Sequence, residues 1–182
     1  MPRQWPLVES VVEKDYRIFS LRRDRAVSPR TGNTHDFYVL ETRDWVNVIP
    51  VTPAGEVVMV SQYRHGIRSV TLEIPGGLAD GGGEPPMEAA RRELLEETGY
   101  RPREMIHLGS VHAQPALQNN YCHTYLALDV EPVAEPQPDA GEDLHLVTFP
   151  LSDIPERIRR GEITHGLVLS AFYWYELWLK GR

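Results

Sequence analysis

One cysteine, Cys122, stands in a chain of 182 residues. A lone thiol excludes an intrachain disulfide and a multi-cysteine zinc centre, and it fits a reducing compartment. Basic residues are also scarce. The 19 lysines and arginines face 26 acidic residues, giving a formal net charge of −7 and a pI near 5.5. Proteins that hold nucleic acid by general electrostatics carry a basic footprint, so no nucleic-acid partner is expected. Long apolar runs are missing too. Residues 1–10 lack the apolar core of a signal peptide, and the most apolar late stretch, residues 166–179, is too short to span a bilayer and contains Glu176. Neither an internal repeat nor a low-complexity tract is present. The expectation is a cytoplasmic protein with no membrane partner. Its composition, 41% hydrophobic and 25% charged, is that of an ordinary globular chain long enough for a sizeable core.

What is present reads as strands around one well-marked helix. Residues 16–21, 37–40, 45–51, 56–63 and 71–74 carry strand-like content, and the continuous apolar centre of 56–63 predicts burial on both faces. Residues 28–33 and Pro53-Ala-Gly55 are turn chemistry. Residues 79–84 are too glycine-rich for regular structure. Pro85 and Pro86 then fit the opening turn of a helix, where a missing amide hydrogen costs little. Met87, Ala90 and Leu94 form its inner stripe, and Gly99 is a natural C-cap. Further strands are expected over 105–111, 121–130 and 144–149, with a proline-bearing loop over 131–141. Ser152 or Asp153 is placed to cap a short helix, and a final amphipathic helix covers 167–179. Strands on both sides of a helix, with another helix at the end, predict an α/β or α+β sandwich.

The first helix carries Glu93, Glu96 and Glu97. Residues three and four apart share a helix face, so the three carboxylates converge, and they repel unless a cation or basic neighbours compensate. A hard divalent cation such as Mg²⁺ is held by carboxylates and usually also touches substrate phosphates. The pattern points to metal-assisted phosphate chemistry; the plain alternative is a solvated acidic face. No Ser/His/Asp or Cys/His arrangement argues for a covalent intermediate. His112, His123 and His145 do not cluster as ligands and read as structural histidines. Trp45 and Phe37 suit core or dimer contacts better than base stacking, and Phe172, Trp174, Tyr175 and Trp178 suit packing.

Residues 84–99, with Arg92-Glu93-Leu94-Leu95-Glu96-Glu97-Thr98-Gly99 at their end, resemble the signature box of the Nudix hydrolases. That box runs Gly, five residues, Glu, seven residues, Arg-Glu-apolar-x-Glu-Glu-x-Gly-apolar, and Tyr100 takes its terminal apolar place. The chain departs upstream, where six residues separate Gly77 from Glu84. The extra one falls within Gly81-Gly82-Gly83, where a loop absorbs it and the helix register is untouched. Val60-Ser-Gln-Tyr-Arg64, Leu72-Glu-Ile-Pro-Gly-Gly77, Gln114-Pro-Ala116 and Glu142-Asp-Leu-His-Leu146 are similar to segments of the ADP-ribose and nucleoside-diphosphate-sugar pyrophosphatase branch.

The resemblance implies an α/β/α Nudix sandwich with a mixed sheet over residues 44–182. An extra N-terminal β-region over residues 1–43, related to dimerisation, would precede it, in a homodimer. It implies Glu93 and Glu97 as metal ligands, with Glu96 sharing or bridging and Mg²⁺ or Mn²⁺ as the cofactor. Arg92 would orient the glutamates, with Glu84 in the same network. Glu142 resembles an additional catalytic glutamate that ligates a metal or takes a proton from water, with Asp143 and Glu135 as neighbouring candidates. Glycine permits close approach, so a backbone carbonyl at Gly76 or Gly77 is open to a metal or substrate, unless the pair is merely a tight connection. Arg64 is placed to grip a diphosphate oxygen or to make a structural salt bridge. Glu73 is placed to contact a ribose or another metal, or to sit on the surface at a strand end. The implied reaction is metal-dependent hydrolysis of ADP-ribose or a nucleoside diphosphate sugar, a small-molecule nucleoside diphosphate derivative, to a nucleoside monophosphate and a sugar phosphate. A nucleoside-triphosphate pyrophosphohydrolase and a non-catalytic nucleotide-sugar sensor are the alternatives.

Overall fold

Strand structure begins earlier than the sequence pattern predicts. In the computed structural model, which describes residues 1–79, 82–139 and 141–181, β1 spans Leu7–Asp15, a stretch without period-two alternation. It is a strand because it pairs antiparallel with β2 (Ser20–Val27), and two register shifts along that ladder break its alternation. Residues 16–19, expected within a strand, instead make the turn between them: Tyr16 N–H donates to the Phe19 carbonyl at 2.9 Å. β2 pairs in turn with β3 (Thr34–Glu41). The three strands belong to a unit formed by Met1–Arg43 and His112–Tyr121. Cross-strand ion pairs lace its sheet: Arg23 reaches Glu9 and Glu13, and Arg25 reaches Asp36. Leu7, Val8 and Val12 stay more than half exposed.

The second unit, Asp44–Val111 with Cys122–Arg182, holds a mixed sheet. Its strands are β4 (Trp45–Val51), β5 (Glu56–Arg64), β6 (Ser69–Glu73), β7 (Gly76–Leu78), β9 (Glu104–His112), β10 (Tyr121–Leu128) and β12 (Leu144–Pro150). A minor ladder joins β8 (Tyr100–Arg101) to β11 (Glu131–Pro132), the latter inside the stretch expected to be loop. The main order is β12-β5-β4-β10-β9, with β10 parallel to β4. Strands β4 and β5 pair only at their hairpin end, Val51 opposite Val57. Beyond it they part. β7 takes the vacated edge of β4, and β6 takes that of β5. Residues 73–77 therefore lie in a wedge opened inside the sheet.

Helices cover both faces. On one side α1 (Pro86–Thr98) packs Ala89, Ala90 and Leu94 onto Val46, Val48, Val58 and Ala127. On the other, α2 (Ile154–Arg159) and α3 (Gly166–Lys180) pack Ile154, Val168, Ala171 and Phe172 onto Ile49, Val57, Met59 and Leu126. Val57, Val58, Met59 and Val60 are each at most 2% exposed, the two-faced burial predicted for this run. Pro85 and Pro86 open α1, and Gly99 closes it by donating to the Leu95 carbonyl. A short 3₁₀ turn, Leu151–Asp153, leads into α2, and Asp153 stands at the N-cap without a side-chain capping bond. Gly81, within the expected insertion, lies outside the described residues. No helix among the described residues is long and apolar enough to cross a membrane.

Candidate functional site

The site grows from the register of α1. With Ala90 and Leu94 turned into the sheet, Glu93 and Glu97 face the wedge between β4 and β5. Glu97 is 3% exposed, and its Oε2 accepts the Gly76 N–H at 3.0 Å. Gly76 and Gly77 form a strand here instead of the expected turn, because the edge of β4 is free to pair with them. Gly76 has no room for a side chain, and one on Gly77 would displace the Glu93 carboxylate. A Cβ on Gly76 would stand 2.3 Å from the Val46 carbonyl oxygen, and one on Gly77 would stand 2.6 Å from the Glu93 carboxylate.

Arg92 supplies much of the compensation that the acidic face requires. Its Nε and Nη2 donate to the two oxygens of Glu84 at 3.2 and 3.1 Å. Nη1 donates to Glu93 Oε1 at 2.8 Å and to Glu96 Oε2 at 3.0 Å, while Nη2 also reaches the Leu78 carbonyl. Pairing with Glu84 first, then with Glu93 and Glu96, raises the guanidinium pKa further. Glu97 is left out of this network. Burial, then the charges of Glu142 and Glu93, push its carboxyl up to about 8, and the Gly76 N–H only partly offsets them. Burial also raises Glu93, against the pull of Arg92.

Glu142 approaches from the segment before β12. Its Oε2 accepts the Asp139 N–H at 3.1 Å, and its charge acts on Glu93, Glu97 and Arg64. Arg64, at the end of β5, donates through Nε and Nη2 to Glu73 at 2.8 and 2.6 Å. Glu73 is not the surface acid that was one expectation for it: it is 2% exposed. Burial opposes its charge, yet the bonds from Arg64 and Thr71, with the His165 ring nitrogen 3.1 Å away, hold its carboxyl well below the usual range. Both of its oxygens accept bonds within the protein, from Arg64 and Thr71. Thr71 and His165 were not anticipated. Thr71 shares the strand face of Glu73 two residues away, which alternation signals; nothing local marks His165, at the N-cap of α3.

The other candidates lie elsewhere in their units. His123 bonds Ser110 at 2.8 Å and Asp44 at 3.2 Å, as a structural histidine does, and His112 stacks on Tyr121. Cys122 is buried, which pushes its thiol up to about 12 and removes it as a ligand or nucleophile. Asp143 and Glu135 are exposed.

Does this arrangement suit a hard cation? Among the described residues no three acidic, histidine or cysteine side chains stand as a preformed metal centre, and Arg92 is paired with both Glu93 and Glu96. The donor set nonetheless fits. Glu93 Oε2 and Glu97 Oε1 make no hydrogen bond among the described residues, on adjacent turns of one helix face. A half-buried site with surplus carboxylate, where burial and acidic neighbours raise Glu97, suits an oxygen-seeking divalent ion that would offset the crowded negative charge.

Comparison with known proteins agrees with this geometry. The NUDIX domain family matches residues 41–169. The chain is 32% identical to an ADP-ribose pyrophosphatase of Mycobacterium tuberculosis over 154 residues, 84% of this chain and 74% of that protein. It is 35% identical to an ADP-sugar pyrophosphatase of Mus musculus over 152 residues, 77% of this chain and 68% of the relative. The crystal structure of an ADP compounds hydrolase superposes with a TM-score of 0.87 at 23% identity, covering 100% of this chain and 97% of that one, which speaks to the fold. With its box residues gathered in one wedge and its family match spanning most of the sequence, the chain belongs to the NUDIX domain family.

Proposed function

We propose that this protein hydrolyses the diphosphate linkage of ADP-ribose or a nucleoside diphosphate sugar, yielding a nucleoside monophosphate and a sugar phosphate. The observation that carries the reading is the grouping of Glu93, Glu97 and Glu142 beside a fixed Arg64. The named activities of the pyrophosphatase relatives support the substrate class. Nudix hydrolases generally use divalent metal ions, and Mg²⁺ or Mn²⁺ suits all-oxygen ligands. Glu93 and Glu97 would hold the ion, with Glu96 alongside and the Gly76–Gly77 backbone close by. When bound, the ion supplies positive charge for the diphosphate oxygens and acidifies water.

The chain's own groups do the rest. Arg92, braced by Glu84, keeps Glu93 and Glu96 in place. Arg64 presents Nη1, which has no partner among the described residues, to a diphosphate oxygen. Glu142 takes a proton from the attacking water as its oxygen bonds to phosphorus, and the bridging P–O bond breaks to release the second monophosphate. We also read the protein as a homodimer in which residues 1–43 contribute the contact; the exposed Leu7, Val8 and Val12 support this, and light scattering after gel filtration tests it.

The decisive assay incubates the protein with Mg²⁺ and a panel of ADP-ribose, nucleotide sugars and nucleoside triphosphates, resolving products by anion exchange. Release of AMP and ribose 5-phosphate from ADP-ribose is expected. Cleavage of triphosphates to pyrophosphate alone would replace the substrate class, and binding without turnover would make the domain a sensor.

A further inference from the structure

The Arg64–Glu73 pair has a third member that no part of the signature box announces. Glu73 is buried in the wedge, and a buried carboxylate is costly unless each oxygen is satisfied. Oε1 takes Arg64 Nε and the Thr71 hydroxyl. Oε2 takes Arg64 Nη2, and His165 Nδ1 stands 3.1 Å from it. That Nδ1 is buried and makes no aligned hydrogen bond among the described residues, so its approach to Oε2 is a short electrostatic contact at the one carboxylate it faces.

Its origin matters as much as its contact. His165 opens α3, whose buried face packs on the α2/α3 side of the sheet, away from α1 and the acidic cluster. Arg64 is at the strand end, its side chain 45% exposed, and Glu73 is the only group to which it donates among the described residues. Without a fixed Glu73, an exposed guanidinium on a long stem samples many rotamers, and the order regained on binding is subtracted from affinity. We propose that His165 is a positioning residue for ligand binding: it locks the Glu73 carboxylate from the α3 side, and Glu73 in turn holds Arg64 with Nη1 turned free for an anionic oxygen. This rests on the assignment of Arg64 to the diphosphate.

Three variants test it. His165→Ala removes the contact with Glu73, His165→Phe keeps the ring without its nitrogens, and His165→Asn restores a polar N–H near the Nδ1 position while suiting a helix N-cap. Thermal melts establish that each is folded. With ADP-ribose and Mg²⁺, the Ala and Phe variants are expected to raise KM about tenfold with kcat within about threefold, the pattern of lost uniform binding, and Asn is expected to return KM to near the parent value. A loss of kcat at constant KM, parental kinetics in His165→Ala, or Asn behaving as Ala would overturn the proposal. A readout independent of turnover accompanies it: the rate of phenylglyoxal modification at Arg64, followed by peptide mass spectrometry. Release from Glu73 is expected to raise that rate severalfold in the Ala and Phe variants and not in Asn. Should the parent protein leave ADP-ribose intact, the proposed substrate fails, while unchanged Arg64 reactivity in His165→Ala would still refute the positioning role.

Discussion

Replacing Glu97 by glutamine is expected to stabilise the metal-free protein while removing its activity. Glutamine keeps an acceptor for the Gly76 N–H and discards the ionisable group. In the folded protein the carboxyl titrates at about 8 against an ordinary 4.5, because it is buried and faces Glu142 and Glu93. A folded-state pKa above the unfolded one means the native state binds the proton more tightly. Its contribution is fully present below pH 4.5 and is lost as pH rises toward about 8. Between pH 4.5 and pH 7, at about 1.4 kcal/mol per pH unit, that removes about 3 kcal/mol. For a chain of this size about 2–4 °C corresponds to each kcal/mol, so the variant should melt about 6–12 °C higher at pH 7 in EDTA. At pH 5 the gap should shrink below about 1 kcal/mol. Mg²⁺ at about 100 times its Kd should add about 2.7 kcal/mol to the parent and little to the variant. Scanning fluorimetry at both pH values, with and without Mg²⁺, reads all of this. A variant less stable than the parent at pH 7, or a gap that ignores pH, would refute the claim that Glu97 is held under electrostatic strain.

The two wedge glycines should separate function from folding. Gly77→Ala meets only the movable end of Glu93, so its melt should stay within about 1 kcal/mol of the parent while Mg²⁺-dependent turnover falls more than about tenfold. Gly76→Ala meets the β4 backbone, and the overpacking should cost about 1–3 kcal/mol in urea unfolding. Arg92→Lys replaces a fork that serves Glu84, Glu93, Glu96 and the Leu78 carbonyl by a point charge; Mg²⁺ affinity by calorimetry should drop about 10–100-fold. Cys122, buried and with its thiol raised to about 12, should resist Ellman's reagent in native protein and react on unfolding.

The parts of this protein legible from sequence are those written in local chemistry. Pro85, Pro86 and Gly99 bracket α1 because cap preferences act over a single turn. The run at the centre of β5 reads as doubly buried because nothing polar interrupts it. β1 escapes because its register shifts destroy the alternation that marks a strand, and its pairing with β2, not its pattern, makes it one. β7 escapes for a different reason: Gly76 and Gly77 have no side chains to alternate.

By itself the sequence determined that Glu93, Glu96 and Glu97 share one face of a helix beside an arginine, because helical periodicity depends only on spacing. Which of the three would be strained, only the tertiary structure decided. The parting of β4 and β5 lets Gly76 reach Glu97 and seals it from water, while Arg92 turns to Glu84, Glu93 and Glu96 and leaves Glu97 to the field of Glu142. The same wedge buries Glu73 between Arg64 on β5 and His165 on α3. Burial and long-range charge are properties of what packs against a residue, and that is set by the whole fold rather than by neighbours along the chain.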